Sequence, residues 1–282
     1  MDTLLAAAQV LLPVAYLAAS AAYSALFFGA PPRDAPAARG GFAAAATPLL
    51  AGTVLLHLGY LTALVAHHRQ FPAATVSQAL SCVAFAVAAV YLFVEWHGRE
   101  RSTGFWLVSL AFAFQLLASV LVRPHPPSRD IFHDPFFATH VSLALLGYAA
   151  FAVAAGYAFL FLMLYRDLKG GRFSTFYGKL PPLEVLERMM TAALWAGFLA
   201  LTAAVVVGAV WAERLDQTGW VRDPKIAFTL ATWVLYATAL LLKRLRRWQG
   251  RQTALASLTG LGAILFSLVA VNLFFTDFHG FL

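Results

Sequence analysis

The chain has 282 residues, 61% of them hydrophobic and 12% charged, with a formal net charge of +7 and a mean hydropathy of +0.74. A soluble domain carries about 45–50% apolar and about 25% charged residues, so the composition excludes a water-soluble globule and indicates an integral membrane protein. The positive balance is read as loop charge that orients the chain in a membrane, not as affinity for nucleic acid. The lone Cys82 lies in an apolar run and excludes an internal disulfide framework.

About 20 apolar residues cross the hydrocarbon core as a helix, and eight segments meet that requirement. The first, 3–29, lacks the positive start of a signal peptide and reads as a retained helix. A Pro-rich connector, Pro31 to Pro36, leads to 46–66, which carries His57 and stops before His67-His68-Arg69. Segments 75–96 and 104–122 follow, with His97 between them. A second connector, Pro124-His125-Pro126-Pro127, together with 129–139, is long enough to contribute to an external site. His140 opens the apolar run 140–165. Segment 189–212 leads to the loop Gly219-Trp220-Val221-Arg222-Asp223-Pro224-Lys225. The last two segments are 225–242 and 253–275, and His279 lies just beyond. None has a charge in its middle, and strand-like alternation is absent. The expected fold is therefore all-α, a polytopic membrane helix bundle of about eight transmembrane helices forming one integral membrane domain over 1–282.

Orientation follows from the basic residues. The odd-numbered loops hold 14 of the 20 Lys and Arg, and Lys243-Arg244-Leu245-Arg246-Arg247 is the densest block. The positive-inside rule makes those loops cytoplasmic and both termini external. His67, His68, His125, His133, His140 and His279 then fall at or near the outer face, while His97 is cytoplasmic. His57, ten residues before His67, lies about 15 Å deep at 1.5 Å rise per residue.

Two imidazoles at one depth, His140 and His279, with an aromatic loop between them, could clasp a flat iron-bearing ligand such as haem. Neutral imidazole is a common haem ligand, and two of them fill both axial positions. In that reading Trp220 stacks on the porphyrin, Arg222 or Lys225 pairs with a propionate, and Asp223 belongs to the same loop. Asp277 is placed to orient His279. Plainer readings stand beside these. Each histidine could bond loop backbone, Trp220 could be a membrane-belt tryptophan, and Asp223-Pro224 could simply start a helix. An ionisable residue in mid-membrane is a functional candidate, so His57 is a further cofactor candidate. Its alternative is a neutral ring bonded to a hydroxyl such as Thr53 or Tyr60. The chain has no Cys-x-x-Cys-His, His-Glu-x-x-His or Gly-rich phosphate loop, and no carboxylate pair for acid–base work in the bilayer.

Several stretches carry a family likeness: Thr139-His140-Val141-Ser142, Gly147-Tyr148-Ala149-Ala150-Phe151, Leu180-Pro181-Pro182-Leu183-Glu184, Gly208-Ala209-Val210-Trp211-Ala212, Trp220 to Lys225, Trp233, Trp248-Gln249-Gly250, Asn272 and Phe278-His279-Gly280. In this order they resemble the cytochrome c assembly family, the haem-handling membrane proteins of CcsA, CcmC and HemX type. The likeness covers roughly 130–282 and, more weakly, 57–97. It implies external haem flanked by the histidines matched by His140 and His279. Arg222 stands where the family's WWD motif has its second Trp, Ile226 where it has Glu, and Leu241 where many members carry an internal histidine.

The expectation is a multi-pass protein of the bacterial inner (cytoplasmic) membrane that binds and handles haem b in cytochrome c maturation, among membrane lipid and partner maturation proteins or membrane subunits. No residues are evident that would make a thioether bond by themselves, so haem delivery is expected rather than catalysis. Two alternatives remain: an accessory subunit of a membrane redox complex on the same scaffold, and a HemX-like effector of haem biosynthesis.

Overall fold

The computed structural model describes residues 2–29, 44–98, 101–122, 133–171, 177–214 and 224–268, with the side chains of Asp2 and Lys225 outside that set. Among the described residues the regular elements are eight helices: α1 (Asp2–Gly29), α2 (Ala46–His68), α3 (Val76–Gly98), α4 (Gly104–Val120), α5 (Pro135–Lys169), α6 (Leu183–Arg214), α7 (Pro224–Arg244) and α8 (Gly250–Phe266). Six of them, all except α4 and α8, are long and apolar enough to cross a membrane. α4 and the described part of α8 have 17 residues each, about 25 Å at the helical rise. Residues 269–275 of the expected last span lie outside the described set. Large apolar side chains such as Val10, Leu55, Leu199 and Val206 are exposed around the bundle, a surface that lipid solvates and water does not.

The helix starts have local causes. Thr75 caps α3 by accepting from the Gln78 backbone N–H at 3.2 Å, while the Gln78 amide oxygen accepts from Ala74 N at 2.8 Å. Asp134 caps α5, accepting from Phe136 N at 2.7 Å, and Pro135 supplies the helical φ of the first position. α5 thus begins five residues before the apolar run. His140 lies in its second turn rather than opening it, and Pro135 to Thr139 are helical, not part of a loop. Hydropathy marks where a segment becomes apolar; a cap marks where it becomes helical.

α5 is the central helix, packing on α3, α4, α6 and α8, while α1 to α4 pack among themselves on one side and α7 lies against α6 and α8 on the other. Its closest approach is to α6. A Cβ on Gly147 would stand 3.2 Å from Leu201 N, and one on Gly197 would stand 2.7 Å from the Phe151 ring and 3.1 Å from Gly147 O. Small residues let two membrane helices meet at this distance, where dispersion and not water exclusion holds them.

A polar thread crosses the other half of the bundle. Pro13 lies inside α1 and has no N–H, so the helix cannot bond the Gln9 carbonyl. Ser119 of α4 donates to that carbonyl at 2.7 Å. The Gln115 amide reaches Ser119 at 3.4 Å and accepts from Ser81 Oγ at 2.9 Å. Ser81 meets His57 Nε2 at 2.9 Å, and His57 Nδ1 meets the Tyr16 hydroxyl at 2.9 Å. At the opposite end from the groove described below, buried Glu95 ties three elements together, accepting from Tyr23 of α1, Thr47 of α2 and Arg101 Nε, the last at 2.9 Å. Lys179 caps the α1 C-terminus through the Phe27 and Phe28 carbonyls, each at 2.9 Å. Lys243 pairs with Glu187 between α7 and α6.

Candidate ligand groove around His140

The end of the bundle that carries the α5 N-terminus opens into an apolar groove with a cavity volume of about 150 Å³. Its walls come from the start of α3 (Thr75, Val76), the start of α5 (Phe137, His140), the end of α6 (Gly208, Trp211), the start of α7 (Ile226) and Leu268 beyond α8. An up-and-down chain brings these ends to one face, the face expected from the basic-residue count to be external. Thr75, Tyr148 and Thr229 are polar lining residues set among mostly aliphatic and aromatic ones, the mixture usual for a small-molecule site.

His140 is half-buried in the wall. Its Nδ1 lies 2.8 Å from the Ala204 carbonyl oxygen of α6. A carbonyl can only accept, so Nδ1 carries the proton and the basic lone pair falls on Nε2. Ala204 is the second residue before Val206 in a helix that stays regular through this turn, so its carbonyl is shared between the helix and the ring. Gly208 makes room for the imidazole: a Cβ there would sit 2.6 Å from both Cε1 and Nδ1 of His140. Trp211, one turn further, lies nearly parallel to the imidazole, with centroids 6.5 Å apart and planes at 30°. Its indole N–H donates to Asp134 Oδ2 at 3.0 Å. Phe137 packs against the indole at 5.9 Å, and Arg214 covers the Phe136 ring at 4.3 Å.

The other sequence candidates distribute as follows. Trp220, Arg222, Asp223 and His279 lie outside the described residues, as do Asp277 and Asn272; Lys225 is in the first turn of α7 with its side chain undescribed. The flanks of the Trp220 loop are placed, since α6 ends at Arg214 beside Phe136 and α7 begins two residues before the groove-lining Ile226. His57 belongs to a different part of the molecule. It is fully buried, and its nitrogens meet Tyr16 and Ser81 rather than Thr53 or Tyr60. Thr53 bonds Leu49 O at 2.8 Å, and Tyr60 accepts from Gln9. The Ser81 hydroxyl donates to Gln115, so it accepts from His57 Nε2–H and Tyr16 donates to Nδ1.

Sequence reasoning missed the His140 surroundings: the Ala204 carbonyl, Gly208, Trp211 and Asp134. Two signals were available. Asp134-Pro135 is a helix-start signature, and Gly208 with Trp211 has the one-turn spacing that puts both on one helix face.

An all-helical, multi-pass membrane bundle with an imidazole-bearing apolar groove at one end defines the class of protein. The family described as Cytochrome C assembly protein matches residues 48–279, and the chain belongs to that family. Among curated proteins it is similar to the cytochrome c biogenesis protein CcsA of Microcystis aeruginosa, 25% identical over 75% of this chain and 79% of that one. CcsA of Trieres chinensis is 24% identical over 75% and 78% of the two chains. CcsA of Parasynechococcus marenigrum is 29% identical over 75% and 77%.

Proposed function

We propose that this protein binds and handles haem for cytochrome c maturation, at the external face of a bacterial cytoplasmic membrane, in company with lipid and other maturation proteins. The observation that carries the reading is the tautomer of His140. A ligating imidazole commonly donates its far N–H to a carbonyl or carboxylate, which raises the basicity of the ligating nitrogen. The Nδ1–H···O bond to Ala204 does this and puts the basic lone pair on Nε2, the nitrogen that would bind iron. The apolar lining of the groove suits the face of a flat, largely apolar ligand. Among the described residues no group of three or more His, Cys, Asp or Glu could hold a bare cation, whereas an iron already chelated by a porphyrin needs only one or two axial nitrogens.

His140 would be one axial ligand and His279 the second. Trp220 would give a stacking face, with Arg222 or Lys225 on a propionate and Asp223 ordering their loop. Bound there, haem would supply the macrocycle whose attachment to an apocytochrome completes maturation. The chain's own part is to hold it, orient it and keep it from water. His57 reads as a structural histidine of the polar thread.

The test is a reduced-minus-oxidised spectrum of the purified full chain after expression with ample haem, with extraction to identify the haem type. A b-type spectrum is expected, abolished or strongly weakened in His140→Ala and in His279→Ala. A wild-type protein without such a spectrum ends this reading. Arg222 and Ile226, where the family motif has Trp and Glu, favour a second reading, an accessory subunit of a membrane redox complex. Stoichiometric co-purification of partner subunits with no haem dependence on His140 would support that one.

A further inference from the structure

We propose that the cleft between α2 and α3, at the opposite end of the bundle from the His140 groove, binds one anionic phospholipid through its phosphate. The proposal is independent of the haem reading.

The cleft has a volume of about 620 Å³. Its polar end is made by Thr47 in the first turn of α2, Glu95 near the end of α3 and Arg101 of the α3–α4 junction. Glu95 is buried, and both of its carboxylate oxygens are engaged: Tyr23 donates to one, Thr47 and Arg101 Nε to the other. A guanidinium donates from all three of its nitrogens, and Nε is the one that meets Glu95. Arg101 lines the cleft with 35% of its side chain exposed, which leaves the two terminal NH₂ groups of the fork for a ligand. The cleft therefore offers a cation with donors to spare, beside an anion already bonded at both oxygens. A phosphate fits that pattern, because a planar fork gives two anionic oxygens parallel hydrogen bonds. A cationic group has no such partner there.

The apolar end indicates that the phosphate carries a chain. Val54 of α2 faces Ala89, Leu92 and Phe93 of α3 across the slot. Val54 is eight residues past the start of α2, and Ala89 nine before the end of α3. At 1.5 Å rise per residue the walls reach about 12 Å in from the helix ends, a depth for acyl methylenes and not for a soluble phosphate. Phe93 and Trp96 stand 58% and 79% exposed at the rim of the cleft. Trp96 by itself would be a membrane-belt residue; beside a cation and an apolar slot it marks the depth at which a headgroup lies. Phosphate and chain meet in a lipid, and the bilayer around the bundle supplies one. The basic loops lead to the expectation that this end lies in the cytoplasmic leaflet, where basic pockets between transmembrane helices bind anionic headgroups.

Two variants separate the two halves of the site. Arg101→Lys keeps a cation for Glu95 but has no fork to spare. Ala89→Leu fills the apolar slot and leaves the polar cluster untouched. The experiment is native mass spectrometry of the full-length detergent-purified chain, delipidated and then given phosphatidylglycerol, phosphatidylethanolamine or phosphatidylcholine of matched acyl chains. Inorganic phosphate serves as a competitor.

Wild type is expected to retain one phosphatidylglycerol per chain, about 5-fold tighter than either zwitterionic lipid, the size of one basic group's attraction for an anionic lipid. Arg101→Lys is expected to remove that preference, and Ala89→Leu to weaken retention of all three lipids. Inorganic phosphate is expected to leave the lipid in place. Equal retention of the three lipids by wild type would overturn the proposal and mark an unspecific annulus. So would an unchanged preference in Arg101→Lys. Displacement by inorganic phosphate would overturn it too, making the cleft a site for a free anion. If Arg101→Lys fails to elute as a folded monodisperse species, Ala89→Leu decides alone, and unchanged retention of phosphatidylglycerol there overturns the proposal.

Discussion

At the scale of single residues, the groove depends on one side chain that is present and one that is missing. His140 needs the space above Gly208, because any Cβ at 208 would stand 2.6 Å from two of its ring atoms. Gly208→Ala should therefore weaken hemin binding by about 10-fold or more. The same change should leave stability little altered, since the gain of about 0.5–1 kcal/mol for alanine over helical glycine is offset by the lost His140 bond to Ala204. Hemin titration beside thermal unfolding in detergent checks the pair of outcomes; lost stability with unchanged affinity would contradict the account. His57 should behave oppositely. His57→Ala leaves the Tyr16 and Ser81 hydroxyls without their buried partner. That should cost about 1–3 kcal/mol of stability and leave the haem spectrum intact. A folded His57→Ala protein without haem would instead make His57 a ligand.

At the scale of elements, the bundle is held by repairs made where one helix cannot satisfy itself. Pro13 frees the Gln9 carbonyl inside α1, and α4 answers with Ser119. In a bilayer no water is available for that oxygen, so a neighbouring hydroxyl takes the place of the lost N–H. Ser119→Ala should destabilise the protein by about 1–2 kcal/mol. Adding Pro13→Ala restores a helical N–H to Gln9, so the double variant should be more stable than Ser119→Ala alone. Thermal unfolding of the four proteins of this cycle tests the coupling. Glu95 performs a similar service for α1, α2 and the α3–α4 junction. Removing one member of such a buried cluster strands the others, so Glu95→Ala is expected to cost about 3 kcal/mol or more.

At the scale of the molecule, the alternating helices gather the starts of α3, α5 and α7 with the ends of α6 and α8 at one face, and the groove lies there. The ties of Lys179, Glu187 with Lys243, and Glu95 lie at the other. From the basic loops this second face is expected to be cytoplasmic. In a Cys82→Ala background, His133→Cys should react with an impermeant maleimide from outside the cell, and Tyr177→Cys only after permeabilisation. The reverse pattern would turn the bundle over and place the groove on the cytoplasmic side.

The sequence by itself determined the class, an all-α membrane bundle of about eight helices, and the likeness in the order of motifs. Each of these follows from the one-dimensional distribution of apolar, basic and turn-forming residues. It also singled out His140 and His57, because imidazole is conspicuous among alanines and leucines. It could not assign them different roles. His140 acquires its tautomer from a backbone carbonyl 64 residues away, and a carbonyl has no letter in a sequence. His57 is enclosed by Tyr16 and Ser81 from two other helices, whereas the expected Thr53 and Tyr60 were the neighbours visible along its own. The value of Gly208 lies in the room it leaves for the His140 ring, and that of Asp134 in the direction of two oxygens. Such properties depend on which helices meet and at what distance, and only the tertiary packing decides that.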